Sequence, residues 1–205
     1  MITLRILNEY PLLDIQEAIA TTLGKQSLKK VPDSKDALVD YYINLFIQNH
    51  SVVRSVHFRI IDTDANKSVT RQLLRATTGH PQPYVESSRP DWTGKPRNEE
   101  ETCFFTHDHT AESFIAEARQ RLCYRAWAPT RKKVLDIVRK MWESGDPFFE
   151  ALAVCCVPNC VFQYGCPEGK FNCGWWDKQE DYPYNMVDRR MHYLMNEIVK
   201  EGSND

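Results

Sequence analysis

Between Gly79 and Arg97 the chain carries four prolines and two glycines, so no regular helix can run through that stretch. A segment this long without regular structure inside a compact chain is either functional or disordered. Its content argues against disorder. His80, Tyr84, Ser87, Ser88, Arg89 and Trp92 are not, as a set, the residues that keep a chain unfolded. The rest of the chain must fold on either side of this segment and hold it.

Both flanks read as regular structure. Thr3 to Leu7 alternates apolar and polar side chains and predicts a strand. Helices are expected from Asp14 to Leu23, and again after Pro32-Asp33-Ser34, where Leu38, Tyr41, Tyr42, Leu45 and Phe46 share one face. Ser51 to Ile61 reads as a strand, Asp62 to Asn66 as a turn, and Lys67 to Thr77 as a helix. Beyond the proline-rich segment, Thr110 caps a helix over Ala111 to Ala126. Further helices follow over Thr130 to Ser144, Pro147 to Val154 and Met186 to Lys200, with Cys155 to Trp176 irregular.

The 205 residues are 42% hydrophobic and 26% charged, which fits one domain with a real core. The expected class is α+β, with helices around a small mixed or antiparallel sheet. The core covers about residues 1–154; residues 155–205 form a cysteine-rich extension and a closing helix. A net charge of −2 gives no overall attraction to nucleic acid or membrane, and neither is an expected partner. No long apolar run marks a membrane span or a signal peptide, so a cytoplasmic protein is expected.

The residues from Arg71 to Arg89 carry the most chemistry. Arg71 and Arg75 lie one helical turn apart, Gln72 stands beside them, and a proline-stiffened loop adds Ser87, Ser88 and Arg89. Guanidinium forks suit phosphates and carboxylates, and Tyr84 or Trp92 offers an aromatic wall. The residues alone leave two readings open. One is an anion-recognising site; the other is a solvated face on which Arg71 and Arg75 pair with Asp62 or Asp64.

This run resembles the active-site signature of flavin-dependent thymidylate synthases. In that family a strand leads to an Arg-Gln pair on a helix, then to an arginine-histidine-arginine signature that closes on Ser-x-Arg. Here Arg71-Gln72-Leu73-Leu74-Arg75 matches the approach, and Ser87-Ser88-Arg89 matches the close. Ala118 to Arg131 resembles the family's late helix with its nucleotide-binding arginine. The resemblance spans roughly residues 1–150. Ala76 and Thr77 stand where the family has histidine and a second arginine, and Pro90 replaces its closing tyrosine. The surviving groups belong to the nucleotide side, so the resemblance implies nucleotide binding more strongly than flavin chemistry.

The resemblance implies methylation at C5 of a dUMP-like uracil nucleotide. The cofactor is FAD, with methylenetetrahydrofolate and NADPH as cosubstrates and no cysteine nucleophile. It assigns Arg75 and Arg89 to catalysis. Arg71, Gln72, Arg75, Thr77 and His80 fall to the cofactor, and Ser87, Ser88, Arg89, Arg121 and Arg125 to the substrate. Among Arg121, Arg125 and Arg131, Arg125 is the preferred nucleotide contact. It further implies a homotetramer with sites between subunits. The alternative is a relative that binds or senses a nucleotide without flavin, or that modifies another pyrimidine by hydroxymethylation or UMP methylation.

Two other runs are read structurally. Seven cysteines cannot all pair within one chain, and reduced thiols are expected. Zinc sequences carry paired C-x2-C units and this chain has none, so no metal is assigned. The residues a site would use are Cys156, Cys160, Cys166 and Cys173; common iron–sulfur spacings are also absent. His107-Asp108-His109-Thr110 reads as the polar start of a helix.

Overall fold

The structure, a computed structural model, describes residues 1–25, 31–75, 83–87, 89–94, 96, 98 and 101–199. Four strands form one antiparallel sheet in the order β1-β2-β4-β3: β1 Ile2–Ile6, β2 His57–Asn66, β3 Tyr84–Val85 and β4 Thr102–Thr110. The fold is therefore α+β with a small antiparallel sheet, as the pattern of elements implies.

The sheet is amphipathic because side chains alternate along each strand. Phe58 and Ile60 of β2 and Phe105 of β4 point into the core, with none more than 2% exposed. On the opposite face Arg59 closes a bidentate pair with Asp108, at 2.7 and 2.8 Å. Helices cover the buried face. They include α1 Pro11–Thr22, α2 Lys35–Gln48, α3 Lys67–Leu74, α5 Ala111–Arg121, α6 Ala128–Trp142 and α7 Pro147–Cys155. The short α4, Pro90–Thr93, lies in the proline-rich segment. Phe148 of α7 meets Tyr42 and Phe46 of α2 edge-on at 5.6 and 5.5 Å, and Phe58 at 6.0 Å. Such edge-to-face contacts tie α2 and α7 to the sheet.

Several boundaries move. The residues Asp62 to Asn66 do not turn. β2 runs through them with a register shift between Asp62 and Ala65, because pairing with β4 outweighs local turn propensity. The strand expected from Ser51 begins only at His57, after a 3-10 turn over Ser51–Arg54. The helix expected to reach Ala126 stops at Arg121. His107 and His109 belong to β4, not to a helix; Thr110 alone is the cap. The last helix is α9, Met186–Tyr193, which widens into a π turn over Leu194–Val199. Tyr193, Leu194 and Ile198 are fully buried in the same core as the sheet, so the C-terminal residues close it and are not appended to it.

The cap of α5 matters for function, since that helix carries the candidate site. Ser113 N donates to Thr110 Oγ1 at 3.3 Å, and Thr110 N donates to Ser113 Oγ at 3.0 Å. This reciprocal pair satisfies donors that the first helical turn leaves open. Thr110→Ala is expected to lower stability by about 1 kcal/mol, read from urea unfolding at unchanged m-value.

Candidate functional site

α3 starts where β2 ends. Asn66 Oδ1 accepts from Ser68 N at 2.9 Å and from Val69 N at 3.3 Å, which turns the strand sharply into the helix. Val69, Thr70 and Leu73 face inward, and Arg71 and Arg75 are left exposed on the outer side with Gln72 half-buried. Arg75 Nη1 donates to Gln72 Oε1 at 3.4 Å. From α5, Arg121 Nη2 donates to the carbonyl oxygen of Gln72 at 2.6 Å. That bond joins residues 49 apart in sequence and sets the end of α5 against the arginine-bearing helix.

Asp62 is engaged elsewhere. Lys133 of α6 reaches its carboxylate at 2.7 Å, and Asp62 is 2% exposed.

The proline-rich segment is pinned to the sheet. Tyr84 and Val85 pair with Thr106 and Phe105, and Glu86 N donates to the Phe104 carbonyl at 2.8 Å. A two-residue edge strand thus anchors the loop while leaving its side chains outward: Tyr84 is 60% and Trp92 72% exposed. Arg89 N donates to Ser87 Oγ at 3.3 Å. The Arg89 guanidinium grips Asp91 with both Nε and Nη2 and lies 4.9 Å from the Trp92 ring. Its guanidinium is within cation–π range of an aromatic ring, and a planar fork of this kind suits a planar anion. Thr77, His80 and Ser88 lie outside the described residues.

Arg121 and Arg125 diverge. Arg121 faces α3, whereas Arg125 Nη1 donates to the Phe171 carbonyl and lines a different cavity. Arg131 lies 3.8 Å above the Tyr124 ring. Of the three arginines, Arg121 is the one the fold brings to the Arg71–Arg75 helix.

Behind α5 the sheet buries a polar cluster. His109 Nε2 and His107 Nδ1 stand 2.7 Å apart, and His109 Nδ1 lies 3.2 Å from Ser113 Oγ. Glu117 Oε2 is 3.6 Å from His109 Nε2. Burial pushes the Glu117 carboxyl up to about 7, and the nearby Arg121 works against that rise. Its Oε1 is buried without a hydrogen-bond partner among the described residues. Ligand atoms of the three residues lie within 4.8 Å of one another, close enough for a divalent ion. The 2.7 Å spacing is nonetheless that of a hydrogen bond between the rings. A carboxyl near neutrality at the end of such a chain can take or release a proton at working pH.

The second polar feature is a cavity of about 330 Å³ between the end of α5 and the C-terminal turns. Cys123, Cys160, Cys166 and Cys173 all line it, together with Arg119 and Arg125. Cys160 sits on α8, Asn159–Gln163. Arg189 of α9 holds α8 by donating to the carbonyls of Val161 and Phe162 at 2.6 and 3.1 Å. Burial pushes the Cys160 thiol up to about 12, and the sulfurs of Cys123, Cys166 and Cys173 add to that rise. Cys156 is not among them. It is fully buried beside Cys155, and burial holds its thiol well above its ordinary value. Of the four cysteines named from the tail, Cys160, Cys166 and Cys173 therefore share the cavity with Cys123, and Cys156 does not line it.

No protein-family model, curated protein or solved structure matches this chain. Among the described residues no helix is long and apolar enough to cross a membrane.

Sequence reading missed Glu117 and Cys123. The signal for the first was present: His107 and His109 alternate about Asp108, the period that puts both on one strand face, and Glu117 precedes Arg121 by one helical turn. Cys123 carries no local signal, since its partners lie 37 or more residues away.

Proposed function

We propose that this chain binds a pyrimidine nucleotide at the arginine face of α3 and α5, with Arg121 and Arg89 toward its phosphate, and that it methylates the nucleotide at uracil C5 in the manner of flavin-dependent thymidylate synthases. The observation that carries the reading is the Arg121–Gln72 bond. It brings together the two helices that bear the resemblance, although they are far apart in the chain. FAD would supply the hydride chemistry, with methylenetetrahydrofolate as carbon donor and NADPH as reductant. Arg71, Gln72 and Arg75 would meet the flavin or the uracil, stabilising negative charge as it develops on the ring. Ser87 and Arg89 would hold phosphate once Arg89 exchanges Asp91 for it. A homotetramer with sites shared between subunits belongs to the same reading.

A second reading rests on a specific observation. Ala76 and Thr77 provide neither the imidazole nor the guanidinium that the family signature has there. A protein that keeps the nucleotide pocket and lacks flavin would bind or sense the nucleotide.

Thermal unfolding with added ligands separates the two, because a ligand that binds only the folded state raises its stability by about 2.7 kcal/mol at a hundredfold excess over Kd. Shifts with both FAD and dUMP support the enzyme; a shift with dUMP alone supports the binding protein. No shift with either refutes both. Arg89→Ala is expected to weaken dUMP binding about tenfold, the loss of one charge-assisted contact at an exposed position. Isothermal titration measures it, and an unchanged Kd removes Arg89 from the phosphate site.

A further inference from the structure

We infer that the cavity lined by Cys123, Cys160, Cys166 and Cys173 is the binding site of an iron–sulfur cluster held by these four cysteines. They come from separate places in the chain: the residues just after α5, the short helix α8, and two positions in the turns that follow. The fold gathers them around one space of about 330 Å³. Four cysteines are the usual ligand set of both two-iron and four-iron clusters.

A space of about 330 Å³ lined by four cysteines has room for a polynuclear core. One zinc would instead draw the four thiolates to about 2.3 Å from a single ion, without sulfide, which analysis for metal and sulfide separates from a cluster.

The surroundings suit an anionic group. Arg119 and Arg125 line the cavity with the cysteines. Arg119 lies 3.5 Å from the Phe162 ring, and its Nε is buried without a hydrogen-bond partner among the described residues. Positive charge and N–H donors around the sulfurs tune such clusters. Cys173 is exposed and Cys123 and Cys166 are half-buried, so iron and sulfide can reach the site. The local backbone also fits. The cysteine-bearing turns around Gly169–Phe171 and Trp176–Lys178 are short and irregular, and a cluster would fasten them to α5.

The test is anaerobic reconstitution of the full chain with ferrous iron and sulfide, followed by analysis of iron, zinc and acid-labile sulfide. The expected result is iron and sulfide in equal amounts, at about two or about four of each per chain. A broad visible absorbance that bleaches on reduction should accompany them. Cys123→Ser and Cys173→Ser should each lose most of the iron, while Cys156→Ala keeps it. Cys173 is exposed, so its replacement leaves the core intact. Acid-labile sulfide comes from no flavin, so the outcome is independent of whether FAD binds. One zinc per chain without sulfide, no bound metal, or iron retained in both serine variants overturns the inference.

Discussion

Glu117→Gln is expected to make the protein more stable than the parent above neutral pH, by on the order of 3 kcal/mol, and to leave the two closely matched in acid. Glu117 is 4% exposed, and burial raises its carboxyl from 4.5 to about 7. A carboxyl raised on folding holds its proton more tightly in the folded state. Its contribution to stability is therefore complete below about pH 4.5 and is lost as pH rises to about 7, after which the penalty is constant. The difference between those two values corresponds to on the order of 3 kcal/mol. Glutamine carries no charge at any of these pH values and so escapes the loss. Urea unfolding of both proteins at pH 5 and pH 8 measures it. Parallel pH profiles would show that Glu117 is ionised and paired in the fold. If the cluster instead held a divalent ion, the variant would be the less stable protein and a chelator would abolish the difference. Where His107 and Glu117 serve in proton transfer, turnover of the variant falls while its stability rises, the trade expected at a functional site.

How much of this was legible beforehand differs between the scaffold and its buried polar groups. The amphipathic helices and the Arg71–Arg75 pair follow from periodicity, which local sequence carries. The residues Asp62 to Asn66 mislead, because aspartate and asparagine favour turns; here the ladder with β4 imposes extended backbone on them. His107 and His109 mislead in the same way. Their polarity suggests an exposed helix start, yet pairing opposite Ile60 and Phe58 carries them into the core. Both errors have one cause: the partner strand is some fifty residues distant, and no local window contains it. The cysteines repeat the lesson at longer range. Spacing within the tail selects Cys156, which the core absorbs, and cannot select Cys123, which only the packing of α5 against α8 brings to the cavity.

Arg121→Ala is expected to weaken dUMP binding about a hundredfold and to cost stability as well. Two effects combine. The guanidinium is a candidate phosphate ligand, and hydrogen bonds to charged groups are worth about 1.5–3 kcal/mol each. Its Nη2 also satisfies the Gln72 carbonyl at 2.6 Å, so truncation removes a bond between the end of α5 and α3. A hundredfold change in Kd corresponds to about 2.8 kcal/mol, within reach of one such contact together with the loosened helix. Arg121→Lys separates the two contributions. Lysine keeps the charge but lacks the planar fork that can serve a carbonyl and an anion at once. If positioning dominates, the lysine variant should bind nearly as poorly as alanine and lose the same stability; if charge dominates, it should recover much of the affinity. Arg125→Ala is the control. Arg125 reaches the Phe171 carbonyl and the cysteine-lined cavity, so its loss should leave dUMP affinity unchanged. Should Arg125→Ala weaken nucleotide binding while Arg121→Ala does not, the nucleotide would belong on the cysteine side of α5, and the pocket proposed between α3 and α5 would be wrong.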